Sequence, residues 1–124
     1  MKHVVMVVDD SATIRSQASR VLAAAGFEVI QATDGVDGLE KLGDRQDIVL
    51  VLCDVNMPNM DGLEFVETLA KRPAGMPPVI MLTTEGRPDL IRRAKAAGAL
   101  SWMVKPFKPE LLVAAAKSLT PAAA

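Results

Sequence analysis

A single cysteine, Cys53, excludes an internal disulfide. It lies in the apolar run Ile48-Val49-Leu50-Val51-Leu52-Cys53, so it reads as a small core residue rather than a reactive thiol. Histidine is as scarce: His3 alone, opening an apolar run, carries no feature of a phosphohistidine site. No apolar run approaches the roughly 20 residues that a bilayer-spanning helix needs. The apolar stretch after Lys2 meets Asp9 and Asp10 too soon for a secretory leader, and a cytoplasmic location is expected. Neither sign of charge is in excess. The formal net charge is −1, which predicts no affinity for nucleic acid or membranes. A glycine-rich dinucleotide fingerprint is also missing.

What is present fits one small domain. The chain has 124 residues, enough for one ordinary domain and too few for two. Of these, 50% are hydrophobic and 23% charged, a balance that supports a buried core and argues against disorder. With no linker and no internal repeat, residues 1–124 read as one domain without an output domain, expected to be a monomer.

Short apolar runs alternate with segments of helical period. Residues 3–8 form a buried-strand run that ends at Asp9 and Asp10. Residues 11–25 follow, with Ile14, Ala18, Val21, Leu22 and Ala25 on one stripe. Ser11 can cap the start of this helix, and Gly26 stands where a left-handed residue closes one. Residues 27–32 read as a second strand, and Val36, Leu39 and Leu42 as a short helix closed by Gly43. Residues 48–53 are apolar at every position, so the third strand is expected to be covered on both faces, as in a parallel sheet. Past a loop with Pro and Gly, Leu63, Val66, Leu69 and Ala70 mark a third helix. Residues 79–82 give a fourth strand, and 87–97 a fourth helix with Pro88 in its first turn. Residues 100–104 give a fifth strand, and 109–119 a last helix with Leu111, Leu112 and Ala115 facing inward. Fraying is expected from Thr120 onward. Strict alternation of strand and helix predicts the α/β class, a flavodoxin-like doubly wound (βα)5 fold with parallel strand order 2-1-3-4-5.

Ligands in such folds bind beyond the carboxyl ends of the strands, where the strand order reverses. The polar residues gather there: Asp9 and Asp10 end the first strand, Asp54 ends the third, Thr83, Thr84 and Glu85 follow the fourth, and Lys105 follows the fifth. Two carboxylates about 4 Å apart repel by roughly 4 kcal/mol at an effective dielectric near 20. A crevice with three of them needs a divalent cation, a proton or a fixed positive side chain. All-oxygen ligands suit Mg²⁺, and Lys105 can supply the fixed charge. With a metal to neutralise and orient the incoming phosphoryl oxygens, Asp54 could attack phosphorus, with Thr83 and Lys105 each holding a phosphoryl oxygen.

In order and spacing, Val8-Asp9-Asp10, Asp54-Val55-Asn56-Met57-Pro58-Asn59-Met60-Asp61-Gly62, Leu82-Thr83 and Lys105-Pro106-Phe107 resemble the bacterial response-regulator receiver family. The resemblance covers nearly the whole chain, and Asn56 to Glu64 together with Glu85 bring it nearest to the stand-alone chemotaxis members. It implies that Asp54 accepts a phosphoryl group from a histidine kinase or a small phosphodonor. It implies Mg²⁺ as cofactor, held by Asp10, Asp54 and the main-chain carbonyl of Asn56, with Asp9 acting mainly through metal-bound water. Thr83 and Lys105 would contact the phosphoryl group, and Asn56 and Glu85 would tune how fast water removes it. A cis bond before Pro106 is usual in the family. Thr83 and Trp102 are the implied switch pair. Trp102 stands where receivers usually carry Tyr or Phe, and Thr84 where the chemotaxis members have a smaller residue. The downstream partner would dock on the fourth helix, fifth strand and fifth helix, where Arg87, Arg92, Arg93 and Lys95 stand beside Trp102; the flagellar motor switch is one such partner.

Other readings stay open beside this one. Asp9 and Asp10 could cap a helix, Thr83 could be an ordinary strand-end hydroxyl, and the basic residues of the fourth helix could be a solvated face. A haloacid-dehalogenase-type hydrolase also uses an aspartyl nucleophile, but it needs an acid two residues later, where Asn56 stands. A flavin-phosphate site would be repelled by Asp9 and Asp10. A phosphate shuttle or sink, with the same chemistry and no output partner, is the alternative role. No independent enzymatic substrate is expected.

Overall fold

The computed structural model describes residues 3–84 and 88–120. Along these residues strands and helices alternate as β1 Val4–Val8, α1 Ala12–Ala24, β2 Glu28–Ala32, α2 Gly35–Leu42, β3 Ile48–Asp54, α3 Gly62–Ala70, β4 Val79–Thr83, α4 Pro88–Ala97, β5 Ser101–Val104 and α5 Pro109–Leu119. The strands pair in parallel in the order β2-β1-β3-β4-β5, which is the expected flavodoxin-like arrangement. β1, β3 and β4 are buried at every position because helices cover both faces of the sheet.

Side chains alternate across each strand, so one apolar run feeds two cores. Val4, Met6 and Val8 of β1 and Val51 and Cys53 of β3 pack on one face with Leu42, Phe65, Val66, Leu69 and Ala94 from α2, α3 and α4. Val5, Val7, Leu50 and Leu52 pack on the other with Ala18 and Leu22 of α1 and Leu112 and Ala116 of α5. Cys53 is fully buried, and desolvation pushes its thiol well above the ordinary range, as befits a core residue.

The helix ends follow local chemistry. Ser11 accepts the Ile14 N–H at 3.3 Å, and Gly26 adopts φ +97° just beyond α1. Asp34 and Asp61 cap α2 and α3 by accepting the Asp37 and Glu64 N–H groups at 2.9 Å each.

The inward facing expected of Leu111 is corrected, and on α2 and α3 the buried face differs from the apolar positions that mark the helices. Val36 is 42% exposed, because α2 turns Gly35, Gly38 and Leu42 inward; Gly38 sits against Phe65 and Val8, where even a Cβ would meet the ring at 3.0 Å. On α3 Ala70 is exposed, and Phe65 is buried instead. On α5 Leu111 is 54% exposed, while Leu112 and Ala116 reach the core. The fourth helix begins at Pro88, and Arg87 lies outside the described residues.

Strand register then sets the site. Val8 stands opposite Cys53, Asp54 opposite Leu82, and Thr83 opposite Val104. The carboxyl ends of β1, β3, β4 and β5 are therefore level, and the residues that end or follow them share one edge.

Candidate functional site

Asp9 leaves β1 into α1 and is wholly buried. Its Oδ1 accepts the Ser11 N–H at 2.9 Å, and its carbonyl accepts Arg15 Nη1 at 2.6 Å, which fixes the turn. Its Oδ2 is buried and accepts no well-directed hydrogen bond; its contact is the ion pair with Lys105 Nζ at 2.9 Å. Asp54, at the end of β3, is 6% exposed. Its Oδ1 accepts the N–H of Val55 at 2.9 Å and lies 3.2 Å from the same Lys105 Nζ. Asp10 is exposed at the rim.

Lys105 is the pivot of this arrangement. Its own N–H donates to the Thr83 carbonyl at 2.7 Å, and a cis bond to Pro106 follows, as expected. Burial alone would lower its pKa. The close contact with Asp9 and the charges of Asp54 and Asp9 outweigh burial and hold it above the ordinary lysine value. For Asp54 the balance runs the other way. Desolvation, then the charge of Asp9, raise its carboxyl above the usual range, and Lys105 offsets only part of this.

One oxygen from each of Asp9, Asp10 and Asp54 can be chosen so that all lie within 4.8 Å of one another. Three clustered carboxylates, two of them paired with the one Lys105 ammonium, leave an excess of negative charge. The buried Asp9 Oδ2 has no hydrogen bond of good geometry, and the ammonium it pairs with is shared with Asp54. A hard, all-oxygen donor set of this kind fits Mg²⁺, which keeps several waters and uses few carboxylates.

The sequence-predicted residues fall in two groups. Asp9, Asp10, Asp54 and Lys105 come together, with Thr83 8% exposed at the end of the adjacent β4. Asn56 is exposed in the loop just beyond Asp54, and Thr84 is exposed beyond Thr83. Glu85 lies outside the described residues. Trp102 stands apart on the outer strand β5, opposite Met81 and 38% exposed, with Lys95 Nζ of α4 at 4.5 Å from its ring centroid. At that distance the ammonium attracts the ring face.

Sequence reasoning missed several supporting residues. A Cβ at Gly62 would overlap the Asp54 carbonyl oxygen, so only glycine lets α3 start this close to the site. Asn59 has φ 65°, a conformation asparagine tolerates, and its side chain donates to Asp34 Oδ2 at 2.8 Å. Asp34 and Asp61 carry the helix-capping signal of an acid before an apolar run; Gly62 carries none that spacing reveals.

The response regulator receiver domain family matches residues 5–117. The chain is 39% identical over 109 residues to chemotaxis protein CheY1 of Helicobacter pylori, covering 86% of this chain and 88% of that one. It is 38% identical over 109 residues to a chemotaxis protein CheY homolog of Campylobacter jejuni, with coverages of 86% and 84%. Among solved structures, the chemotaxis response regulator CheY4 of Vibrio cholerae is similar with a TM-score of 0.87 at 39% identity, covering 97% of this chain and 100% of that one.

Proposed function

This chain belongs to the response regulator receiver domain family, and from that membership we propose that it is a switch set by phosphorylation of Asp54. A receiver is a signalling protein of two-component systems, not a metabolic enzyme. The observation that carries the finer reading is the shared ammonium: one partly buried lysine touches both Asp9 and Asp54 at the edge where three carboxylates converge.

The donor is a phosphohistidine of a histidine kinase, or a small phosphodonor. An Asp54 carboxylate oxygen attacks phosphorus in line while the bond from phosphorus to the donor breaks. The leaving imidazole keeps that electron pair, and Asp54 becomes an acyl phosphate. Asp10, Asp54 and the Asn56 carbonyl would hold Mg²⁺, with Asp9 acting through water, and the ion would supply positive charge for the transferring oxygens. Lys105 already stands beside Asp54 and pairs with one phosphoryl oxygen, and the Thr83 hydroxyl donates to another. Water later removes the phosphoryl group at a rate tuned by Asn56 and Glu85.

Movement of Thr83 toward the phosphoryl group reshapes the face made by α4, β5 and α5. Trp102 is the reporter on that face, and the basic residues Arg92 and Lys95 flank it. The relatives described as chemotaxis proteins support a role in chemotaxis signalling, with a downstream protein such as the motor switch as partner. Trp102, the one tryptophan, makes this testable. Beryllofluoride with Mg²⁺ should change its fluorescence in the wild type and leave it unchanged in Asp54→Asn. A wild type whose emission and melting temperature ignore the mimic contradicts the reading.

A further inference from the structure

The loop from Asp54 to α3 is fastened at two ends. At the inner end the Gly62 N–H donates to the Val55 carbonyl at 2.8 Å, and the Val55 N–H reaches the Leu82 carbonyl at 3.2 Å. At the outer end the loop is stitched to the start of α2. Asn59 Nδ2 donates to Asp34 Oδ2 at 2.8 Å, and the Gly35 N–H donates to the Met60 carbonyl at 3.2 Å. The Met60 side chain fills the place a Gly35 Cβ would take, at 2.7 to 2.9 Å. Asp34 is 8% exposed and divides its two oxygens between two tasks: Oδ1 caps α2 through the Asp37 N–H, and Oδ2 holds Asn59.

Between the two fastenings lies the stretch that begins with Asn56. We infer that Asp34 and Asn59 are positioning residues for the cation: their hydrogen bond ties this loop to α2 and thereby fixes the Asn56 carbonyl as a ligand. The inference rests on the proposed reading, in which that carbonyl completes the Mg²⁺ site. Neither residue touches the cation. Their part is to remove the freedom the loop would otherwise lose on binding.

The bond can be broken and remade. Asp34→Ser keeps one oxygen for the cap and leaves none for Asn59. Asn59→Asp opposes two carboxylates. The double variant Asp34→Asn/Asn59→Asp re-forms the bond with donor and acceptor exchanged and the total charge unchanged. Mg²⁺ affinity is measured by titration calorimetry on the intact chain, with urea unfolding of each variant in parallel. Each single variant should bind Mg²⁺ about tenfold more weakly, and the double variant should return to within about twofold of wild type. Asn59→Gly, which keeps the left-handed backbone without the amide, should match the single variants. Wild-type affinity in the folded single variants, or a double variant as weak as the singles, overturns the inference while leaving the receiver reading intact. A wild type that binds no Mg²⁺ overturns both.

Discussion

At the scale of single residues the site is a problem of like charge. Asp9, Asp10 and Asp54 are brought within 4.8 Å of one another by strands that are otherwise apolar. Coulomb's law gives roughly 1 to 3 kcal/mol of repulsion for a pair about 5 Å apart at effective dielectrics between 80 and 20. The metal-free fold therefore carries an electrostatic cost that Lys105 offsets only in part. Asp10→Asn should raise metal-free stability by on the order of 1 kcal/mol. The same substitution should abolish the further stabilisation by Mg²⁺, which for wild type is about 2.7 kcal/mol at 100 times the dissociation constant. Urea unfolding in EDTA and in excess Mg²⁺ checks both halves. A variant less stable than wild type in EDTA would show that the crowding is not strained.

At the scale of elements the decisive feature is the junction of β3 with α3. Gly62 lies where any side chain would meet the Asp54 carbonyl, and the neighbouring Val55 backbone and Met81 methyl are close as well. Gly62→Ala should cost about 1 to 3 kcal/mol, as overpacking of a tight site does. Because the displaced atom belongs to Asp54, Mg²⁺ affinity should fall with it; denaturation and calorimetry on one sample read both. This junction also marks the limit of what the sequence discloses. Strand order and the convergence of Asp9, Asp54, Thr83 and Lys105 follow from alternation and strand-end positions, which are local signals. Helix facing was less legible. Leu111 and Leu112 tie in hydrophobicity, and Val36 beside Gly35 is ranked the wrong way round, because the rotation of each helix is set by what it packs against. A glycine that turns inward, such as Gly38 against Phe65, has no hydrophobic signature at all. The bond between Asn59 and Asp34 joins residues 25 apart in sequence, and nothing local announces it.

At the scale of the whole molecule, the two kinds of shifted carboxyl set the pH dependence of stability. Asp34 is held below 3.8 by the Asp37 N–H and the Asn59 amide, Asp37 by the Thr33 N–H and Lys41, and Asp47 by Arg45. Groups depressed on folding contribute stability that is present above their unfolded pKa and lost as pH falls through the folded one. Asp54 is raised above 3.8, chiefly by burial and then by Asp9. Its contribution has the opposite sense: it is present below the unfolded pKa and lost as pH rises through the folded value. Metal-free wild type should therefore gain stability as pH is lowered from neutral toward 3.8, and lose it below that. Asp54→Asn should remove the gain and keep the loss. Unfolding midpoints across this range in EDTA decide it; a gain that persists in the variant would place the raised carboxyl elsewhere.

The central claim is that Asp54 is the phosphoryl acceptor in a cation-dependent site. Its most direct test is intact-mass measurement after incubation with acetyl phosphate. Wild type with Mg²⁺ should gain the mass of one phosphoryl group, and lose the gain in EDTA or in Asp54→Asn. Full labelling of Asp54→Asn, or labelling of wild type that ignores EDTA, would contradict the account.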